Sequence, residues 1–231
     1  MNMIGIIGAM QIETEALSAM LEDKHTDIIS GREYHVGKLH GRDVVICTCG
    51  IGKVYAAICA EAMILRYSPS LIINTGVAGA LADTLDVTDI VVSDSVVQHD
   101  MDTSPLGDPV GLISGINKVY FDADKTAADK LEAIAGKLGI NTLRGTVASG
   151  DQFISGKEAK EKIKGNFPSS ACCEMEGGSI GHVCFVNGTP FVVLRAISDK
   201  ADGTGNMDYM QFCGIAAENS VKVMSEFIKE I

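Results

Sequence analysis

Three carboxylates and one arginine stand in this sequence where apolar segments give way to polar residues. Glu13 follows MIGIIGA, Glu176 follows ACCEM, and the run FVVLRAISD contains Arg195 and ends in Asp199. Carboxyl groups that share a partly dry site push one another's pKa values apart, so that one stays protonated while another acts as a base. Cleavage of a glycosidic bond needs that combination. Taken alone, Glu13 has a plainer interpretation, because acids are common in the first turn of a helix, where they face its positive end.

Five predicted strands end in turns of polar or small residues, and these turns contain all four side chains. The carboxyl ends of parallel strands meet at one edge of an open α/β sheet, which is where ligands bind. If these strands are parallel, the three carboxylates share one crevice with Arg195 and the aromatic ring of Phe153. The five turns cover residues 9–13, 75–79, 149–154, 174–176 and 195–199.

Segments of strand and helix character alternate along most of the chain. This alternation predicts one domain over residues 1–231, an α/β three-layer sandwich in which a mixed, mostly parallel central sheet is flanked by helices. Asp208 and Gln211 have the spacing of a capping box in the last helix. The predicted strands are residues 3–9, 34–39, 44–48, 71–75, 89–97, 142–148 and 191–194, and the longer predicted helices are residues 53–67, 123–138 and 208–231.

The composition excludes several classes of partner. The chain has 46% apolar and 21% charged residues and a formal charge of −11, without a basic patch, so we expect neither nucleic acid nor an anionic membrane as a partner. The N-terminal apolar run is too short for a signal peptide, and no later run approaches the ~20 residues of a membrane span, so we expect a cytoplasmic protein. The seven cysteines form no CxxC pair and are interpreted as small buried hydrophobic residues.

The segment CGIGKV resembles a phosphate-binding loop only superficially. Cys47 stands in place of the first glycine of such a loop, and Val54 stands in place of the hydroxyl residue that would bind magnesium. We therefore exclude a nucleoside triphosphate site. Gly50 and Gly52 are expected to allow a tight turn between a strand and a helix.

The proline- and glycine-containing segment 98–117 is expected to be functional or to bind a partner, because loops of this length are unusual in compact domains. Asp100 and Asp102, beside His99, have a spacing that magnesium sites use. We favour a polar loop stabilised by its own aspartates, and we expect no metal site. The sequence also contains no GxSxG segment and no local cysteine–histidine signature that would indicate nucleophilic catalysis.

Eight short motifs, in order and across nearly the whole chain, resemble bacterial 5′-methylthioadenosine/S-adenosylhomocysteine nucleosidases. The resemblance implies a nucleoside phosphorylase-like α/β fold, a homodimer, and irreversible hydrolysis of an N-glycosidic bond that releases adenine in methionine salvage and methyl-cycle recycling. It implies no metal or organic cofactor. The motifs are GIIGAM before Glu13, CGIGKV, INTGVAG, VSD, QHD, SGDQFI, CEMEG and LRAISDKAD.

The resemblance also assigns roles to residues of these motifs. Asp199 corresponds to the general acid that protonates N7 of adenine. Glu13 corresponds to the carboxylate that activates the attacking water, with Arg195 helping to place that water. Glu176 corresponds to the residue that binds the ribose hydroxyls, and Met175 lines the sugar pocket.

The remaining candidates would bind the base and the 5′ group. Phe153 would stack on adenine, and the main chain of Ile154 would read its hydrogen-bonding edge. Ser198 precedes the proposed acid at the end of its strand. The floor near sugar and base would be lined by Val77, Ala78 and Gly79.

Two positions depart from the family pattern. Val77 stands where many members have serine, so a hydroxyl contact is lost there. Leu106 stands where members often present an aromatic ring to the thioalkyl pocket of the neighbouring subunit, so the pocket stays apolar without ring packing. These departures leave the preferred 5′ substituent open.

Three other functions remain open at this stage. A nucleoside phosphorylase would need arginine or backbone donors for phosphate in the turn after the first strand, whereas this chain has the acid Glu13 there, so we favour hydrolysis. Cleavage of aminodeoxyfutalosine, by relatives of the same family, is a second enzymatic alternative. A non-catalytic adenosine-binding module is the third, and it would not need both an acid and a base.

Overall fold

The computed structural model describes residues 3–201, 203 and 205–231, and of residues 205–211 only the backbone. Within this part, ten strands and six α-helices alternate along the chain. The strands are β1 (Ile4–Gly8), β2 (Glu22–Ile29), β3 (Arg32–Leu39), β4 (Arg42–Thr48), β5 (Leu71–Ala80), β6 (Ile90–Gln98), β7 (Tyr120–Asp122), β8 (Thr142–Ser149), β9 (Ser170–Glu174) and β10 (Phe191–Asp199). The helices are α1 (Gln11–Ala19), α2 (Lys53–Tyr67), α3 (Lys125–Lys137), α4 (Lys157–Asn166), α5 (Gly177–Asn187) and α6 (Gly205–Glu230).

The strands form one mixed sheet in which five strands close into a ring. The order is β10-β6-β8-β9-β5-β1-β4-β3-β2, with β7 paired to β6. Because β10 also pairs with β5, the strands β5, β10, β6, β8 and β9 surround a common interior. The strands β1, β4, β3 and β2 extend the sheet outward from β5.

The condition that the five site-forming strands are all parallel is not met by β8 and β9. β5 is parallel to β1 and β10 but antiparallel to β9, which is itself parallel to β8. On one edge of β5, β1 pairs with residues 71–74 and β9 pairs with residues 79–80. The carboxyl ends of β1 and β9 therefore point toward each other along that edge, and the turns that follow them converge without parallel strands.

Helices cover both faces of the sheet, as the predicted sandwich requires. On one face, α1, α3 and α6 share an apolar core that includes Leu17, Leu131 and Phe227. On the other face, α2 packs against α5, and their core includes Met63 and Cys184. The three-layer α/β architecture with a mixed central sheet is thus confirmed.

Several elements differ from the sequence prediction for identifiable reasons. The predicted helix over residues 53–67 is confirmed as α2, and Gly50 and Gly52 form the expected tight turn with φ of 97° and 99°. β2 was not predicted, because this edge strand is largely exposed and lacks apolar alternation. β7 is too short to leave a pattern. The side chains of Asp208 and Gln211, the predicted capping box, lie outside the described part of the structure.

The structure also tests the expectations for the cysteines and for membrane-spanning segments. Six of the seven cysteines are buried free thiols, which confirms their interpretation as small buried hydrophobic residues, whereas Cys213 is only partly buried. Among the helices described here, none is long and apolar enough to cross a membrane.

Candidate active site

A cleft of about 600 Å³, counted with its open mouth, is lined by β5, by the ends of β9 and β10, and by the segments that follow β1, β4, β8 and β9. Ten of the twelve residues predicted for the site line the cleft, namely Glu13, Val77, Ala78, Gly79, Phe153, Ile154, Met175, Glu176, Ser198 and Asp199. The cleft is further lined by Ala9, Met10, Ile51, Gln152, Cys173 and Glu174.

Glu13 is held by backbone donors from the segment after β1 and from β5. Its Oε2 accepts from the N–H groups of Ala9 (2.8 Å) and Met10 (2.9 Å), and its Oε1 accepts from Val77 N–H (3.0 Å). The bond from Met10 caps the start of α1, so the plainer interpretation of this acid is correct as well. Burial raises the pKa of Glu13 above its ordinary value of 4.5, against the lowering effects of the Arg195 charge and the three backbone bonds. Oε1 accepts from one backbone donor and retains acceptor capacity toward the cleft.

Arg195 lies behind the wall of the cleft and does not line it. Its Nη2 donates to Asn74 Oδ1 (2.6 Å), forms a short ion pair with Glu174 Oε2, and lies 3.4 Å from Glu176 Oε2. All three charged side chains are at most 5% exposed. A buried arginine of this kind compensates carboxylates that would otherwise be costly to bury. Its predicted help in placing a water molecule stays a prediction.

Glu176 is the N-terminal cap residue of α5 and projects into the cleft. Its Oε1 accepts from Gly52 N–H (2.9 Å), which ties the CGIGKV turn to the opposite wall. Burial and the negative charge of Glu174 raise the pKa of Glu176 to about 7, whereas Arg195 and the Gly52 bond lower it. Glu176 is therefore poised between its neutral and ionised forms near neutral pH.

Asp199 ends β10 and is 2% exposed. Its Oδ1 accepts from Ala201 N–H (2.9 Å), and the hydroxyl of Ser198 lies 3.0 Å from its Oδ2. A Cβ at Gly79, its neighbour on β5, would lie 2.9 Å from Asp199 Oδ1 and would force this carboxyl group to shift. The close approach of the two strands thus fixes where this carboxyl group meets the cleft.

Apolar groups supply the rest of the cleft wall. Phe153 and Ile154 lie between β8 and α4, outside helix and strand, and the Phe153 side chain is 48% exposed. Met175 is partly exposed, whereas the isopropyl group of Val77 is buried. These surfaces can hold flat or thioether-containing groups without making hydrogen bonds to them.

Leu106 does not line the cleft and is 83% exposed in the 3₁₀ turn Ser104–Leu106. Its predicted role belongs to a neighbouring subunit and stays a prediction. In the same loop, Asp100 pairs with Lys53 (2.6 Å) and Asp102 accepts from Ser104 N–H (2.9 Å). The described residues contain no group of three histidine, cysteine or acidic side chains placed to hold a metal ion.

Sequence reasoning missed two buried polar residues that support the site. Glu174 accepts from Gly177 N–H (2.8 Å) and Glu176 N–H (3.0 Å), and Asn74 donates to Ile7 O (2.9 Å) while accepting from Arg195. The available signals were the second acid in CEMEG and the single amide in the apolar run LIIN. Both carry polar groups that burial makes costly unless they are paired.

Comparison with known proteins agrees with this geometry. A family model described as "Phosphorylase superfamily" matches residues 3–229. The 5′-methylthioadenosine/S-adenosylhomocysteine nucleosidase of Neisseria meningitidis, solved with methylthio-immucillin-A, has a TM-score of 0.96 at 31% identity over 100% of both chains. The corresponding nucleosidase of Colwellia psychrerythraea 34H, solved with adenine, has a TM-score of 0.94 at 35% identity over 98% of this chain and 94% of that one.

A third similar structure carries a different substrate name. The futalosine hydrolase of Helicobacter pylori strain 26695 has a TM-score of 0.94 at 32% identity over 100% of this chain and 98% of that one. The shared fold and the matched length agree with the resemblance seen in the sequence motifs. This chain therefore belongs to the phosphorylase superfamily and, within it, to the 5′-methylthioadenosine/S-adenosylhomocysteine nucleosidase family of N-ribosyl hydrolases.

Proposed function

We propose that this protein hydrolyses the N-glycosidic bond of 5′-methylthioadenosine and S-adenosylhomocysteine, with 5′-deoxyadenosine as a further candidate substrate, and releases adenine. The products would be free adenine and the 5′-substituted ribose. Nucleosidases of this specificity are among the similar structures, two of them solved with a methylthio-immucillin or with adenine.

The observation that carries the proposal is the carboxylate of Glu13 on the backbone donors of Ala9, Met10 and Val77. A phosphorylase would use donors of this kind, at the turn after the first strand, to bind phosphate. Here they are occupied by a carboxylate, which also repels an anion. The same carboxylate has acceptor capacity toward the cleft for a water molecule, and burial makes it a better base. Water is therefore the nucleophile that this site favours.

Asp199 is the proposed general acid. Its carboxyl group lies at the cleft wall beside the hydroxyl of Ser198. Protonation of adenine at N7 makes the base a neutral leaving group, and such proton donation contributes typically 10²–10⁴-fold to the rate.

Carboxylates stabilise the sugar as the bond breaks. A ribosyl transition state carries positive charge, so Glu13 and Glu176 stabilise it more than they stabilise the neutral substrate. Glu176 would also accept hydrogen bonds from the ribose hydroxyls, with Met175 against the sugar. In this scheme Arg195 acts through its ion pairs, which keep Glu174 and Glu176 compensated in a buried position.

The base and the 5′ group would occupy the apolar parts of the cleft. Phe153 would stack on adenine and the main chain of Ile154 would read its edge, while Val77, Ala78 and Gly79 form the floor. We propose a homodimer in which Leu106 of one subunit contributes apolar surface to the other. The high exposure of Leu106 in the single chain is compatible with that role.

The test is adenine release from 5′-methylthioadenosine by the purified protein, first in phosphate-free buffer and then with added phosphate. Hydrolysis predicts equal rates in both buffers and free methylthioribose as the sugar product. Release that requires phosphate, with a sugar 1-phosphate as product, would identify a phosphorylase. No release from any adenosine derivative, combined with measurable adenosine binding, would identify a binding module.

Cleavage of aminodeoxyfutalosine is a second candidate function, favoured by the similarity to the Helicobacter pylori futalosine hydrolase. Both reactions break the same kind of bond, so the two substrates differ for this site only at the 5′ substituent. The ratio of kcat/KM values for methylthioadenosine, adenosylhomocysteine and aminodeoxyfutalosine, measured in one buffer, decides between them.

A further inference from the structure

Glu174 is the most highly bonded carboxylate described in the molecule, although the proposed mechanism gives it no role. It accepts from the backbone N–H groups of Glu176 and Gly177, from the hydroxyl of Ser149, and from Arg195. Its side chain is only 2% exposed. Burying a second charge here is costly, and helix capping alone does not require an ionised group.

Arg195 is shared unequally between the two glutamates. One guanidinium nitrogen forms the short bond to Glu174 and the 2.6 Å bond to Asn74, whereas its distance to Glu176 Oε2 is 3.4 Å. The other oxygen of Glu176 is bound to Gly52 N–H. Oε2 of Glu176 is thus the atom with spare acceptor capacity on this side of the cleft.

We propose that Glu174 is a positioning residue that draws Arg195 away from Glu176 and so keeps one oxygen of Glu176 available for the ribose hydroxyls of the substrate. The inference rests on the proposed function for the identity of that ligand. The charge arrangement around Glu176 can nevertheless be measured without any substrate.

The groups that face Glu176 come from every element packed around it. Glu174 on β9 and Glu13 on α1 add negative charge, Arg195 on β10 adds positive charge, and the N–H of Gly52 before α2 donates a hydrogen bond. The thiol of Cys49 also faces it, but burial raises the pKa of that thiol so far that it stays neutral. Removing the charge of Glu174 therefore leaves Arg195 as the dominant neighbour. Glu176 would then lose its proton at lower pH and pair with the arginine.

The experiment is a ¹³C NMR titration of glutamate carboxyl groups between pH 4.5 and 9, with Glu176 assigned by the loss of its signal in Glu176→Gln. In the wild type we expect a midpoint well above that of an ordinary glutamate. In Glu174→Gln the midpoint should fall by about one pH unit or more, which is the usual size of an effect from a neighbouring charge. Glutamine keeps the shape of the side chain and one acceptor oxygen.

Two further variants separate charge from shape. Glu174→Asp keeps the negative charge, and Ser149→Ala removes one hydrogen bond to Glu174 without changing any charge, so both should leave the midpoint within about half a unit of wild type. The proposal is wrong if Glu174→Asp or Ser149→Ala shifts the Glu176 midpoint as far as Glu174→Gln does. It is also wrong if Glu174→Gln leaves that midpoint unchanged. A midpoint near 4.5 for Glu176 in the wild type would also refute the proposal. This test needs no Glu174 variant, so it holds even if Glu174→Gln does not fold.

Kinetics on the nucleoside that the wild type cleaves supplies the functional readout. For Glu174→Gln we expect KM to rise about tenfold or more, because a hydrogen bond to a charged group is lost in the bound state. The acidic limb of the pH profile of kcat/KM should move to lower pH together with the NMR midpoint. An unchanged KM and profile would refute the positioning role. Absence of turnover in the wild type would instead refute the proposed function and leave the titration as the test of the charge arrangement.

Discussion

Among the residues that the structure describes, an arginine surrounded by carboxylates occurs twice, once in the interior and once on the surface. The interior cluster consists of Arg195, Glu174 and Glu176, with side chains at most 5% exposed. In the surface cluster the arginine is 18% exposed and its carboxylates are about half exposed. The surface cluster consists of Arg144 with Asp94, Asp129 and Glu132.

The carboxyl groups of the two clusters have pKa shifts of opposite direction, because one cluster is buried and the other is exposed. In the interior cluster, burial first and the charge of Glu174 second raise the pKa of Glu176. On the surface, hydrogen bonds from Lys125 and Arg144 hold the pKa of Asp129 below its ordinary value. Water stabilises the charged form of an exposed acid, whereas a buried acid depends on its protein neighbours alone. A pattern of charged residues acquires chemical capability only where the fold removes water from it.

The largest expected difference between the two regions is in activity, and paired aspartate variants measure it. Asp199→Asn in the cleft should reduce kcat by about 10²–10⁴-fold, because the amide cannot donate a proton to the leaving base. Asp94→Asn in the surface cluster is the matched control and should keep near-normal kcat. Adenine release at saturating substrate provides the rates, and circular dichroism checks that both variants fold. Near-normal turnover by Asp199→Asn would remove it from the role of general acid.

Replacing each arginine by methionine compares the two clusters in stability. Arg195→Met leaves buried carboxylates without their partner and should reduce the free energy of unfolding by about 3–5 kcal/mol. Arg144→Met breaks exposed pairs that water compensates, and should cost about 1 kcal/mol or less. Urea denaturation at pH 8 and one fixed protein concentration measures both. Equal losses would mean that burial does not distinguish the two clusters.

The pH dependence of stability should have opposite signs in the two clusters. The pKa of Glu176 is about 7 in the folded protein against an ordinary value of 4.5, so the folded state binds its proton more tightly. Its stabilising contribution is complete below about pH 4.5 and is lost as the pH rises to about 7. The pKa of Asp129 is lowered, so its contribution is complete above its ordinary value of 3.8 and is lost as the pH falls.

Two variants isolate these contributions. Glu176→Gln should become more stable relative to wild type between pH 5 and pH 8, whereas Asp129→Asn should lose its disadvantage only as the pH falls below about 4. Urea denaturation across both ranges gives the two differences. The stability of the variant relative to wild type should rise with pH for Glu176→Gln and fall with pH for Asp129→Asn. If it rises for both variants or for neither, the opposite pKa shifts of the two clusters are contradicted.

The location of the site could be predicted because the motifs that form it are local. Small or polar residues that follow an apolar run, as at Gly79 and Asp199, were predicted to be turns; they lie instead at the ends of β5 and β10, but they line the cleft as expected. The direction itself could not be predicted. β5 meets β9 through only two paired positions, Gly79 with Cys173 and Ala80 with Cys172, and nothing in either segment encodes that pairing. Convergence was therefore predicted correctly from a wrong premise.

The support of the site was harder to predict than its lining. Arg195 was expected to face the cleft because, like Asp199, it lies at or just past the carboxyl end of the predicted strand 191–194. Regular alternation would place these two positions on the same side of the sheet, but the pairing of β10 with β5 has a register shift between Ile197 and Asp199 that interrupts it, so Asp199 reaches the cleft while Arg195 stays behind its wall. Whether a polar side chain lines the cleft or only supports another side chain depends on the three-dimensional packing around it. The residue type alone does not predict this.

The smallest expected effect comes from the most closely matched pair of contacts. Glu132 lies 3.5 Å from Arg144, and Glu176 lies 3.4 Å from Arg195, so distance alone would make the two pairs equal. We expect Glu132→Gln to change the free energy of unfolding by less than about 0.5 kcal/mol, because an exposed pair gains little over its separate hydration. In 1 M salt the Debye length is ~3 Å, so even this difference should disappear, whereas the effect of Glu176→Gln should persist because salt does not enter the interior. A salt-independent effect of Glu132→Gln would show that the surface cluster is shielded from solvent and that the two regions differ less than their exposure indicates.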